Sequence, residues 1–176
     1  MKLKKIWVTG CAALLLAFAA CRRGGKVVEA GLGVPLARGK ASDLRLTPNG
    51  SVALFLMGAE KPRMDGIPPQ MLVGELWAAP LAGGRAGRLG SGVTNVPGGF
   101  LHTADSRWAL FLSGYNAASQ GGTLHVQALD ALSSEPRRLG AEVTYMLASP
   151  DSRKLAFVSS GVLKVGDLPE GPFRDV

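Results

Sequence analysis

Ser149-Pro150-Asp151-Ser152-Arg153-Lys154-Leu155-Ala156-Phe157-Val158-Ser159 is a stretch that this chain writes three times. The second copy runs Thr103-Ala104-Asp105-Ser106-Arg107-Trp108-Ala109-Leu110-Phe111-Leu112-Ser113. The first is Thr47-Pro48-Asn49-Gly50-Ser51-Val52-Ala53-Leu54-Phe55-Leu56-Met57. In each, an Asn or Asp opens a turn and a Phe follows six positions later: Asn49 to Phe55, Asp105 to Phe111, Asp151 to Phe157. The turn residues stand 56 and 46 positions apart, near the roughly 20–50-residue periods of repeat architectures.

Around this stretch each unit divides into strand-sized pieces. A short apolar run precedes the turn: Leu44-Arg45-Leu46, Gly99 to His102, Val143 to Leu147. After the turn come Val52 to Met57, Trp108 to Ser113 and Leu155 to Ser159, almost continuously apolar, as in strands buried on both faces. The third pieces align without gaps as Glu75 to Leu81, Thr123 to Leu129 and Val162 to Leu168. They share the form x-Leu-x-(Ala or Val)-x-x-Leu, the alternation of a half-buried strand. A fourth piece occurs twice, Arg88-Leu89-Gly90 and Arg138-Leu139-Gly140. The third unit is expected to lack it, because Pro169 and Pro172 precede Val176. Pro48 and Pro150 preset φ at the first corner, and Asn or Asp tolerates tight-turn conformations. The Phe of each unit is expected to point into the gap between neighbours. Plentiful glycine (24) and proline (11) with few aromatics (6%) fit many short strands and turns.

These residues imply an all-β fold, a partial β-propeller of about three four-stranded antiparallel blades. The third copy, followed by Leu163-Lys164-Val165-Gly166-Asp167-Leu168, resembles the TolB-type, WD-repeat-like propeller repeat. That family writes Ser-Pro-Asp-Gly-Lys, an aliphatic-Ala-Phe strand, then a strand ending in Asp-Leu. The resemblance covers roughly residues 42–170. Ala104 replaces the Pro in the second unit, and only Gly50 keeps the glycine. The repeats are expected at residues 42–90, 91–140 and 141–176. Three blades are fewer than the 4–8 that usually close a ring. Degenerate further blades, a truncated reading frame or an edge filled by another chain would each account for this, and the ending inside the third unit favours truncation.

The first 20 residues read as a secretory signal. Met1-Lys2-Leu3-Lys4-Lys5 is basic, Ile6 to Ala20 is uncharged and apolar, and Ala19-Ala20, after Phe18, places small residues before Cys21. The apolar run is shorter than the roughly 20 residues of a spanning helix. The segment resembles a bacterial lipobox, which implies cleavage before Cys21 and a lipid anchor on its sulfur; the alternative is ordinary cleavage with Cys21 a free thiol. Cys11 would leave with the signal, so the mature chain could form no intrachain disulfide. Arg22 follows in place of the Asp that retains enteric lipoproteins at the inner membrane. The resemblance therefore implies a bacterial envelope location at the outer membrane, facing the periplasm. Residues 21–41 read as a tether with a short strand.

The formal charge of +7 overstates the basic character, since Lys2, Lys4 and Lys5 fall in the signal. From Cys21 onward 17 basic face 13 acidic side chains, dispersed rather than in the dense stripe that nucleic acid demands. No nucleic-acid partner is expected. His102 and His125 have no Cys or carboxylate at metal-ligand spacing. Gly90-Ser91-Gly92 fails the nucleophile-elbow pattern at Leu89, and Gly39-Lys40 fails the phosphate-loop pattern at Val34 and Ala41. No catalytic residue, metal or cofactor is therefore expected. Loop length is the informative irregularity. Between second and third strands the third unit spends Ser160-Gly161, the second Gly114 to Gly122, and the first Gly58 to Gly74. That last excursion, with Lys61, Arg63 and Asp65, is the candidate binding loop, because long loops on rigid scaffolds carry function; a tolerated insertion with no partner is the alternative. A non-catalytic binding module for a protein or peptide partner is the first expectation. The alternative is the propeller portion of a larger enzyme, such as a prolyl-oligopeptidase-type peptidase.

Overall fold

Continuous apolar runs broken by Asx turns fold here into eleven strands and no helix among the described residues. The computed structural model describes residues 39–63 and 68–176. The first blade comprises β1 (Ala41–Leu46), β2 (Val52–Glu60), β3 (Val73–Pro80) and β4 (Gly87–Thr94), hydrogen-bonded in that order. The second comprises β5 (Phe100–His102), β6 (Trp108–Asn116), β7 (Gly121–Ala128) and the opening half of β8 (Arg137–Ala148). The closing half of β8 begins the third blade and pairs with β9 (Lys154–Ser159), followed by β10 (Val162–Asp167) and β11 (Arg174–Asp175). All pairings are antiparallel, and because β8 pairs with both β7 and β9, blades two and three form one seven-stranded sheet.

Three details depart from the sequence reading. The third blade has a fourth strand: Arg174 pairs with Val165 and Asp175 with Lys164. Pro169 and Pro172 cost nothing because they lie in the connection before it. Phe173 then packs edge-on against Phe157, ring centroids 5.0 Å apart, and turns the chain back along β10. Second, Gly58 and Gly114 do not end their strands. Both adopt positive φ (59° each) at bulges, and β2 and β6 continue to Glu60 and Asn116. The corresponding connections shorten to Lys61–Leu72 and Ala117–Gln120. Third, Arg138-Leu139-Gly140 and Val143 to Leu147 belong to one strand, with Glu142 at positive φ marking an irregularity inside it.

The turn is the same in all three copies, and its hydroxyl residue holds it. Thr103 Oγ1 donates to Asp105 Oδ1 (2.6 Å) and accepts from the Trp108 amide (3.1 Å), while Asp105 Oδ1 also accepts from the Arg107 amide (3.1 Å). Thr47 with Asn49, and Ser149 with Asp151, repeat the pattern. The turns are also tied to one another. The Asn49 amide donates to Ser106 Oγ (3.1 Å) and the Asp105 amide to Ser152 Oγ (2.9 Å). Ser106 and Ser152 are buried at φ of 64° and 62°, the left-handed region that Gly50 occupies in the first copy. A hydroxyl linking to the preceding turn explains serine at a site that sterically favours glycine.

A paired variant separates the two effects at Ser152. Ser152→Ala keeps the left-handed strain and orphans the Asp105 amide, and is expected to cost about 1–3 kcal/mol. Ser152→Gly loses the same bond but relieves about 1 kcal/mol of strain, so it should be the milder change. Urea unfolding that ranks glycine level with or below alanine would remove the left-handed strain from the account, and Ser152→Ala as stable as wild type would remove the turn-to-turn bond.

The carboxylates of these turns titrate low. Burial works against ionised Asp105, but the Thr103 hydroxyl, the Arg107 amide and charge, and the Ser152 hydroxyl outweigh it and hold the group below its ordinary 3.8. The Ser149 hydroxyl and the Arg153 amide do the same for Asp151. A depressed folded-state value contributes stability above the unfolded value and loses it as pH falls through the folded one. Wild-type stability from these groups should hold between pH 7 and about 4 and decline below. The double variant Asp105→Asn, Asp151→Asn (Asn49 shows that the amide fits the turn) should be less stable at pH 7, with a gap that narrows as pH falls below about 4. A gap of constant size would exclude the linkage.

Apolar side chains fill two seams between blades. In the first, Leu54, Leu56, Leu76 and Ala78 of blade one meet Phe100, Ala109 and Phe111 of blade two. In the second, Leu110, Leu112, Leu124 and Val126 meet Met146, Leu155 and Phe157 of blade three. Phe111 and Phe157 thus enter the seams. Phe55 packs with Ala53 and Ala79, against Met57, Trp77 and Ala86 of its own blade. Glycine makes room for the seam rings: a Cβ at Gly90 would stand 2.5 Å from Phe111 Cε2, and one at Gly140 3.0 Å from Phe157 Cε2.

Candidate binding rim

Antiparallel order puts the β2–β3, β6–β7 and β9–β10 connections and the β4–β5 connection at one end of the strands. Ser160-Gly161 and Ala117–Gln120 are tight there, whereas Lys61–Leu72 is long. Its return limb is fastened to the scaffold. Asn95, just past β4, donates from Nδ2 to the Gln70 carbonyl (3.0 Å) and accepts at Oδ1 from the Leu72 amide (2.8 Å). The Asn95 amide donates to the Leu72 carbonyl (3.1 Å) and the Met71 amide to the Pro68 carbonyl (2.9 Å). Met71 between them is buried. A side chain that satisfies loop backbone groups in this way replaces the ladder the loop has left. Lys61 and Arg63 stand exposed on the outgoing limb. Asp65 lies outside the described residues, as does Cys21.

Beside the loop base runs a shallow groove of about 570 Å³, lined by Gly39, Lys40, Met57, Gly58, Val73, Gly74, Glu75 and Gly92. Half of that lining is glycine, so backbone rather than side chains forms much of the wall. Gly74 has no room for more, since a Cβ there would approach the Met57 carbonyl oxygen to 2.8 Å. The charged groups are Lys40 and Glu75. Glu75 Oε1 accepts from Arg88 Nη1 (2.9 Å) and Oε2 from Trp77 Nε1 (3.2 Å). The Arg88 hydrogen bond, then that of Trp77, hold this carboxyl below its ordinary value. The groove thus presents strand backbone already paired in the β2–β3 ladder, the Glu75 carboxylate held by Arg88 and Trp77, and the Lys40 cation.

The remaining singled-out residues are architectural. Pro48, Asn49, Asp105, Pro150 and Asp151 form the turns at the opposite end of the strands, and Phe55, Phe111 and Phe157 are buried. Ser113 Oγ and His125 Nε2 lie 2.9 Å apart, the nearest approach to a nucleophile–base pair. The imidazole is stacked on Phe111 at 5.3 Å. Burial pushes its pKa down, and the Arg138 charge adds to this against the Pro136 backbone. No carboxylate orients the ring, which a triad requires. No group of three or more His, Cys, Asp or Glu side chains among the described residues could hold a metal ion. His102 faces its neighbour's carbonyl, Nδ1 at 3.3 Å from Thr103 O. Sequence reading missed Asn95 and the turn hydroxyls. Asn95 carried no spacing signal, whereas Thr47, Thr103 and Ser149 stood at one repeat position in plain view.

No family model matches the chain, and no curated protein matches it. Solved structures do. The β-propeller domain of the Trilobed protease from Pyrococcus furiosus, described as having an open velcro topology, superposes with a TM-score of 0.51 at 14% identity. The superposition covers 80% of this chain and 43% of that one. The fold is a β-propeller arc. Weaker superpositions include a eukaryotic initiation factor (TM-score 0.47, 14% identity, 79% of this chain and 33% of that). A putative 6-phosphogluconolactonase from Bacteroides uniformis gives 0.43 at 14% identity, covering 80% and 40%. The arc spans less than half the length of each of these chains.

Proposed function

We propose that this protein is a lipid-anchored binding module of the bacterial cell envelope, a TolB-like propeller arc that offers its Lys61–Leu72 loop and the adjoining groove to a protein or peptide partner. Association, not catalysis, is its activity. The observation that carries the reading is the fastening of the loop by Asn95 and buried Met71. A tolerated insertion needs no such anchorage, whereas a binding loop gains affinity from being held in shape. The signal-like segment and Cys21 supply the membrane attachment, which faces the periplasm from the outer membrane. Several acyl chains would hold it firmly, at about 0.8 kcal/mol per buried methylene.

The test is made in a Gram-negative host on full-length chain. Wild type is expected to show a lipid-sized mass gain and membrane retention, both lost in Cys21→Ser. In situ photo-crosslinking from position 61 should give a discrete adduct that weakens in Asn95→Ala without loss of folded protein. Identical fractionation of wild type and Cys21→Ser would end the anchor reading. Adduct formation indifferent to Asn95 would end the loop reading.

A second reading is the propeller portion of a larger enzyme of the prolyl-oligopeptidase type. It is favoured by the propeller of a protease among the similar structures and by coverage of only 43% of that chain. Continuation of the gene into a G-x-S-x-G region would select it.

A further inference from the structure

At one position the repeat sets three different side chains across from its phenylalanine. Trp77 stands opposite Phe55, His125 opposite Phe111 and Lys164 opposite Phe157. The outer strand lies on the other side of each, with Arg88 opposite Trp77 and Arg138 opposite His125. Blade one neutralises its arginine, because Arg88 Nη1 donates to Glu75 Oε1 at 2.9 Å. Blade three pairs its lysine with Asp175. Blade two has Thr123 at the repeat position of Glu75. Among the described residues no carboxylate pairs with Arg138.

The imidazole is poorly placed to take up a proton. It lies flat on Phe111, at an interplanar angle of 13°, and Phe111 fills the seam with blade one. Nε2 is held by Ser113 Oγ, while Nδ1 is buried without a hydrogen-bond partner. With its hydrogen on Nε2 the neutral ring donates to Ser113 and leaves only a lone pair unused. A charged ring would bury a second N–H with nothing to receive it. The Pro136 carbonyl favours the charged ring, but it makes no hydrogen bond with Nδ1. β6 adds Tyr115 beyond Ser113, and β4 meets β6 with Gly90 and Gly92. Asp130 and Glu135, the carboxylates of the β7–β8 connection, are exposed.

We propose that His125 is an acid-sensitive latch on the first seam, and that protonating it beside Arg138 loosens the joint between blades one and two. Burial, and then the Arg138 charge, outweigh the Pro136 carbonyl and hold the ring below its ordinary 6.5. The folded chain therefore binds this proton less well than the unfolded chain. Stability is complete above about pH 6.5, declines as pH falls below it, and levels off once the folded ring is also charged. That window lies above the one in which the turn carboxylates act. No backbone ladder crosses this joint, so the loss falls on the packing around Phe111.

The experiment uses full-length chain in mild detergent. Its two histidines give two imidazole signals in proton NMR, and His102→Gln assigns the one that remains. That signal is expected to titrate below the ordinary imidazole value of about 6.5. Hydrogen exchange, corrected for the intrinsic effect of pH, should show peptides of β2–β4 and β6 losing protection between about pH 7 and 5, more than those of β9 and β10. Urea midpoints should fall over the same range in wild type and stay level in His125→Gln. Thr123→Glu gives the sharpest readout, by supplying Arg138 with the carboxylate that Arg88 has in blade one. It is expected to raise the His125 titration point and to remove the acid loss. Should His125→Gln fail to fold, Thr123→Glu and the wild-type titration still decide. His125 titrating at or above the ordinary value overturns the inference. So does equal loss of protection in both seams, or a wild-type loss that Thr123→Glu leaves unchanged. None of these outcomes touches the anchor or the loop.

Discussion

Phe111→Ala is expected to cost about 3–5 kcal/mol, the range for deleting a fully buried aromatic ring. Such a loss is comparable to the whole stability of a marginal domain. The ring is the centre of the first seam. It packs among Leu54, Leu56, Leu76 and Phe100, lies over Gly90, and carries the His125 imidazole on its face. The truncation would therefore loosen the joint between the four-stranded and seven-stranded sheets, which no backbone ladder bridges. Urea denaturation should show a midpoint far below wild type, or no cooperative transition at all. A midpoint shift equivalent to less than about 1 kcal/mol would mean that the seam can close over the vacancy.

The same joint should fail from the opposite side. In Gly90→Ala the new methyl carbon would stand 2.5 Å from Phe111 Cε2. The ring is enclosed and cannot swing away, so the cost is that of overpacking, about 1–3 kcal/mol or more. Combining the two changes gives the sharper expectation. In Gly90→Ala, Phe111→Ala the methyl group introduced at position 90 occupies space that the ring has vacated, so the double variant should be more stable than the summed single losses imply. Contacting residues commonly couple by about 0.5–3 kcal/mol. Strict additivity would show that Phe111 does not rest on Gly90.

Much of this architecture is legible in the sequence because the repeat carries it. Asx-to-Phe spacing marks the turns and the most buried strands, and the x-Leu-x-(Ala or Val)-x-x-Leu pieces mark β3, β7 and β10. What was not legible depends on long-range geometry. A glycine at positive φ reads as a strand end, yet at Gly58 and Gly114 it sits in a bulge and the strand continues. Proline reads as a stop, but at Pro169 and Pro172 it leaves Arg174 and Asp175 free to pair. Ser106 and Ser152 look like departures from the turn glycine, and become intelligible only when neighbouring turns are seen to share a hydrogen bond. Of the candidate rim, loop length was readable and its fastening was not. Asn95 lies in a different connection from the loop it holds, and nothing local links the two.

The passage of β8 through two blades has a mechanical meaning. The strand from Arg137 to Ala148, irregular at Glu142, hydrogen-bonds with blade two along its first half and with blade three along its second, and so ties the two together by backbone. The counterpart junction, Asn95 to Gly99, is a connection between separate sheets. Blades two and three therefore share one hydrogen-bonded sheet, whereas blades one and two are joined by those five residues of chain and by the packed seam. Asn95, the first of them, also grips the long loop. The side chain that fastens the return limb of the loop thus also sits in the connection that joins the two sheets.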